Sequence, residues 1–301
     1  ILMAFFKLTG LFPMRIQIFP DLNLETCGVS IFYHIILISA IVFTNLYWAA
    51  PMIQTIQQFD TVLEQIYLVL STIVTVIIWT SYLLSRRGLI TFAIKLVKAD
   101  EFAKLLRLNC KFQPFTWKNV VWFILYVFAW AIFLITMPME YNTPIPFFVF
   151  IFVYYVPTFI IVLFIMQYTL ALRLIRKRMA ALNSAILLHL KKMSSSQWAF
   201  TIVQVTSENV VIQDFDNWKR THDKLYEASL IIAKFYEFTI LPVMGHVCFT
   251  VIYLGFYIVS DTFENTSDHR LLGLGNDLSW LFVTIIPVFW LIFQIEGITD
   301  E

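Results

Sequence analysis

Charge is what this chain has least of. Asp, Glu, Lys and Arg make up 14% of its 301 residues, where a soluble domain carries about 25%. That is too little to cover a water-facing surface. Bases number 21 and acids 20, so the net charge is +1, and bulk electrostatics give no reason to expect a nucleic-acid partner. Three cysteines cannot build a disulfide framework. Only 8 Gly and 10 Pro exclude a collagen-like or low-complexity chain. The sequence holds no HExxH, Cys-x-x-Cys, GxSxG or GxxxxGK[ST], so no enzymatic chemistry announces itself. The five histidines are scattered; each reads as a satisfied structural residue, and no metal or cofactor site is expected. What is abundant is apolar and aromatic. Hydrophobic residues reach 59%, with 30 Phe, 13 Tyr and 9 Trp, and the mean hydropathy is +0.77. These values predict an all-α, polytopic membrane protein.

Six runs are long and apolar enough to cross a bilayer, which takes about 20 residues. They are Gly28–Trp48, Ile66–Ser85, Val120–Met139, Pro146–Leu172, Ile231–Val259 and Leu278–Ile295. The runs are continuous rather than alternating, which excludes barrel strands of about 10 residues. Basic residues concentrate in two of the connecting segments. Residues 86–118 hold Arg86, Arg87, Lys95, Lys98, Lys104, Arg107, Lys111 and Lys118, and residues 173–227 are as rich. The other connections hold almost no Lys or Arg. The positive-inside rule therefore places residues 1–27, the loop 86–118 and the segment 173–227 in the cytoplasm, between spans at 28–172 and 228–301. A G-protein-coupled receptor would have its N-terminus outside and the opposite loops basic.

The sequon Asn265-Thr266-Ser267 falls in the last external loop. On expression with microsomes Asn265 is expected to be glycosylated, and Asn265→Gln to abolish the mobility shift. Protease protection of a tag at Ile1 is the decisive control, since a lumenal tag would refute the orientation.

Leu172–Leu190 lacks Pro and Gly and repeats apolar residues at steps of three and four, so the fourth span is expected to continue inward as an amphipathic helix. Lys191–Ser196 breaks that pattern. Trp218–Tyr226 resumes it and leads into the fifth span, which suggests a cytoplasmic helical bundle. Lys234 and Glu237 share a face near the start of that span and could pair. Aromatic residues crowd the outer halves of the spans. Tyr67, Trp130, Phe133, Tyr154, Tyr155 and Tyr253 are candidates to line a small-molecule pocket. Membrane-lipid anchoring is the alternative for each of them, and the sequence leaves both readings open.

Three stretches carry a family resemblance. Phe6-Lys7-Leu8-Thr9-Gly10-Leu11-Phe12-Pro13 puts a Gly and a Pro before the first span. Gln167-Tyr168 is followed by Arg178-Met179-Ala180-Ala181-Leu182-Asn183, in which Met179 stands where an aromatic is usual. His222-Asp223-Lys224-Leu225 precedes Phe235-Tyr236 and Tyr253. Together these resemble the insect gustatory receptors of the seven-span chemoreceptor channel superfamily, with the odorant receptors as the nearest alternative and an unrelated transporter or scaffold behind them. The resemblance implies a plasma-membrane receptor subunit for a small tastant. It implies a ligand-gated cation channel built as a homo- or hetero-tetramer. Arg178, Leu182 and Asn183 are its motif residues. It also implies a seventh, pore-lining span with Thr-Tyr and Gln-Phe, which is expected beyond Glu301.

Overall fold

The computed structural model describes residues 6, 7, 9–11, 14–17, 23–26, 28–53, 59–105, 121, 123–132, 151–196, 204–263 and 270–299. The helical reading holds, and membrane-spanning helices dominate. Helix α1 is Gly28–Ile53, α2 Phe59–Leu84 and α3 Arg86–Leu105. A shorter apolar helix, α4, is described over Phe123–Ile132. A π-helical turn, Ile151–Tyr155, opens α5, Val156–Ser196. Helices α6, Gln204–Phe263, and α7, Arg270–Thr299, follow. One feature falls outside the all-α expectation. Strands β1, Met14–Gln17, and β2, Asn23–Thr26, form an antiparallel ribbon with Met14 opposite Thr26 and Gln17 opposite Asn23.

Among the described residues, Val62–Leu84, Ile151–Leu188, Phe215–Ser260 and Leu274–Ile298 are long and apolar enough to cross a membrane. The first and third apolar runs are represented by the shorter stretches Ile31–Tyr47 and Phe123–Ile132. The helices are longer than their apolar runs. Lys191–Ser196 remains helical, and α6 begins well before Trp218. The basic segment 86–118 is helical over its first 20 residues. Leu89, Phe92, Leu96, Ala99 and Ala103 are buried there at helical spacing, which is why the charged residues between them do not leave it as a loop.

Burial runs inside out relative to a soluble protein. On α1 the buried positions are His34, Ile41 and Asn45, while Phe32, Phe43, Leu46 and Tyr47 are exposed. On α2, Tyr67, Ser71, Val74, Ile78 and Tyr82 face inward, and Ile66, Val69 and Ile73 outward. Lipid is the solvent that tolerates such exposed apolar faces. The buried serine and threonine hydroxyls of α2 find acceptors within their own helix: Ser71 and Thr72 donate to Leu68 O at 2.9 and 2.8 Å, and Thr75 to Ser71 O at 2.8 Å.

The chain forms two compact units. The first comprises Ile1–Arg86, Trp117–Gln167 and Glu237–Leu291. Within it the N-terminal segment is fixed by its own main chain. Leu11 N–H donates to Phe6 O at 2.8 Å and Gly10 N–H to Lys7 O at 3.2 Å, with Gly10 at φ +76°. That pair of bonds is a Schellman cap, whose left-handed position favours glycine. Three successive carbonyls are then held by side chains from three helices. Trp79 Nε1 of α2 donates to Thr9 O at 3.1 Å, His34 Nε2 of α1 to Gly10 O at 2.6 Å, and Gln167 Nε2 of α5 to Leu11 O at 3.1 Å. Tyr82 donates to the Oε1 of the same Gln167, which fixes the amide's orientation. Phe6 and Leu11 are buried, so this segment is part of the core.

The second unit comprises Arg87–Thr116, Tyr168–Tyr236 and Ile292–Glu301. Arg178 forms a two-pronged ion pair with Asp100, Nε to Oδ1 at 2.7 Å and an Nη to Oδ2 at 2.8 Å. Glu227 receives Lys95 and, at 2.8 Å, Lys224. Tyr168 stacks on Tyr236 with centroids 4.2 Å apart. Arg176 lies over the Phe293 ring at 5.5 Å and against Gly297, where an added Cβ would stand 1.8 Å from its Cζ. Leu182 is fully buried and Asn183 half-buried. Lys234 and Glu237 are both exposed, and among the described residues no ion pair joins them; their three-residue spacing gives a shared face but not a contact.

Candidate functional site

The first unit carries two adjoining aromatic groups built from the outer-half residues. Tyr67, Leu68 and Val153 form a buried cluster on which Tyr154, Phe249 and Tyr253 pack. Tyr67 and Tyr253 stack with centroids 4.8 Å apart and planes 13° from parallel. Tyr257 lies against Tyr253 at 4.8 Å, and His246 against Tyr67 at 5.5 Å. In the second group Trp130 meets Tyr155, Phe159 and Trp280 edge-on at 5.2 to 5.6 Å.

Tyr154 and Tyr155, neighbours on the π-helical turn, reach different groups, since consecutive helical residues point about 100° apart. Tyr154 donates to the Glu64 carboxylate on α2, while Tyr155 donates to Trp130 O at 2.6 Å and is 4% exposed. Wide helical turns of this kind recur at functional sites. Of the six candidates named from sequence, the structure brings Tyr67, Tyr154 and Tyr253 into one cluster and puts Trp130 and Tyr155 in the other. Phe133 lies outside the described residues, as does Asn265.

The hydrogen bonds assign the hydroxyls. Thr158 Oγ1 gives its single proton to Tyr154 O at 3.1 Å, so the 2.7 Å contact between Tyr67 and Thr158 is donated by Tyr67. The tips of Tyr67, Tyr154 and Tyr155 are thus committed to internal partners, and Tyr→Phe at Tyr67 would perturb this network first. Two residues were not visible as site members from sequence. Glu64 lies in the sequence between the first two apolar runs, and its position three residues before Tyr67 is the signal that the two share a face. His246 is 1% exposed, and neither ring nitrogen has a hydrogen-bond partner. It departs from the expectation that each histidine is satisfied; His34, bonded to Gly10 O, meets it. Among the described residues no group of His, Cys, Asp or Glu could hold a metal ion.

The model of the 7tm chemosensory receptor family matches residues 1–296. The chain belongs to that family. No curated protein matches it. The membrane helices and the buried aromatic groups are therefore those of a chemosensory receptor, a class that binds small-molecule ligands. The Gln167 of this receptor gains a concrete structural role, since it holds the Leu11 carbonyl, and Arg178 gains another through Asp100.

Proposed function

We propose that this chemosensory receptor is a gustatory receptor subunit, a component of a ligand-gated cation channel in the plasma membrane, with its N-terminus cytoplasmic and assembly as a homo- or hetero-tetramer. The observation that supports the reading best is the Tyr67 cluster. It joins a large aromatic surface to a few placed polar groups, the composition of a site for a small, partly apolar ligand. Arg178, Leu182 and Asn183 in their motif order favour the same family branch.

The test is functional. Cells expressing the receptor are challenged with non-volatile tastants and with volatile odorants while cation current and surface expression are recorded. Tyr154→Ala and Tyr253→Ala are expected to raise the half-maximal tastant concentration by ~10-fold or more at unchanged surface expression, because each removes a ring packed on the cluster. Responses to odorants alone would assign the receptor to the other branch. A tastant response indifferent to both substitutions would remove the cluster from ligand recognition.

A further inference from the structure

Deep in the Tyr67 cluster one polar side chain has unused bonding capacity. His246 is on α6, its carbonyl accepting from Thr250 at 2.8 Å within the helix. Its ring is 1% exposed, and Nδ1 and Nε2 both lack a hydrogen-bond partner. A neutral imidazole carries one donor and one acceptor, and leaving both unpaired away from water is costly. Such groups are rare and call for a specific explanation.

The neighbours narrow what could pair with it. Tyr253 lies seven residues further along α6, about two turns, and the Tyr67 ring contacts both side chains, at 4.8 Å from Tyr253 and 5.5 Å from His246. Tyr67 therefore lies between them. Its hydroxyl is committed to Thr158, and that of Tyr154 to Glu64. Among the described residues no ion pair involves His246. A carbonyl could satisfy only the N–H of the imidazole, and an ammonium only its bare nitrogen while bringing an unbalanced charge. A hydroxyl donates and accepts, and so suits either tautomer. The faces around it are rings, which favour a ring as the ligand's body.

We propose that His246 is the hydrogen-bonding anchor of a ligand subsite beside Tyr67 that takes a small ring compound bearing a hydroxyl group. The proposal rests on the reading of the Tyr67 cluster as the ligand site. It adds the polar contact and the chemical class that Tyr67 and Tyr154, already paired, do not supply.

The test uses two probes that differ only at that group. The purified receptor in lipid nanodiscs is titrated with p-cresol and with p-xylene, in which a methyl replaces the hydroxyl, against empty nanodiscs. Saturable binding of p-cresol ~10-fold tighter than p-xylene is expected, the scale of one buried hydrogen bond. His246→Leu and His246→Phe should each reduce the preference to less than about twofold. His246→Gln, which keeps a donor and an acceptor, should retain part of it. Tyr253→Ala should weaken both probes alike. Equal binding of the two probes that Tyr253→Ala abolishes would overturn the anchor and leave the cluster as the site. A preference that survives both His246→Leu and His246→Phe would do the same. Absence of saturable binding, or binding indifferent to Tyr253→Ala, would overturn the anchor together with the reading beneath it.

Discussion

Gly10→Val is expected to cost the receptor roughly 3 kcal/mol or more of stability. Two effects add. At φ +76° a side chain meets its own backbone, a penalty of about 1–2 kcal/mol that β-branching increases. A Cβ there would also stand 3.0 Å from Trp79 Nε1 and 3.2 Å from Leu37 Cδ1. Of the two, Trp79 cannot give way cheaply. Trp79 is 2% exposed and is itself bonded to Thr9 O. The segment must therefore shift, and the bonds from Trp79, His34 and Gln167 are strained together. Gly10→Ala, with only the single methyl, should cost about half as much. Thermal unfolding of detergent-solubilised receptor, followed by fluorescence-detected gel filtration, gives the order native, Ala, Val. A Val variant that melts with the native protein would show that the segment is not held as described.

Arg178→Asp should be comparably severe in the second unit, at about 3 kcal/mol. The side chains of Arg178 and Asp100 are 17% and 30% exposed, so the pair is shielded without being fully dry. That places the loss at the lower end of what breaking a buried pair costs. The substitution removes two charge-assisted bonds and sets two carboxylates against each other. The diagnostic comparison is the double variant Asp100→Arg with Arg178→Asp, which should recover at least half of the loss; such a cycle isolates the pair from other effects. Arg178→Lys keeps the charge but loses the fork, and should cost about 1 kcal/mol. If the double variant is no more stable than the single one, the pair does not account for the role of Arg178.

Much of this architecture was legible beforehand because membrane helices impose a coarse rule. Any run of about 20 apolar residues satisfies its backbone internally, so Ile66–Ser85 and Ile231–Val259 could be located without knowing their neighbours. The boundaries were less legible. Residues 86–105 alternate charge with a narrow apolar stripe, and a count of bases reads them as a loop, whereas Leu89, Phe92 and Leu96 bury one face of a helix. The ribbon Met14–Gln17 with Asn23–Thr26 alternates apolar and polar residues, but over only four positions a strand, too short a pattern to announce it. At the candidate site, residue type pointed to tyrosines in the outer halves, and the cluster of Tyr67, Tyr154 and Tyr253 uses three of them. Residue type could not tell which hydroxyls have partners. That depends on Thr158 and Glu64, which lie 91 and 90 residues away from their tyrosines. The same limit applied to His246, since a histidine with no partner looks in sequence like any other.

The grip on residues 9–11 has a consequence for how this receptor can vary. Its three acceptors are main-chain oxygens, which every amino acid carries. The Thr9 side chain, bonded to Phe6 O at 3.2 Å, takes no part in the grip. Substitutions at Thr9 can therefore accumulate while the grip persists, provided the turn geometry is kept. The constraint falls instead on Gly10 and on the donors His34, Trp79 and Gln167, so a saturation library should show a tolerant position beside an intolerant one, with matching intolerance 24, 70 and 156 residues away from the respective acceptors.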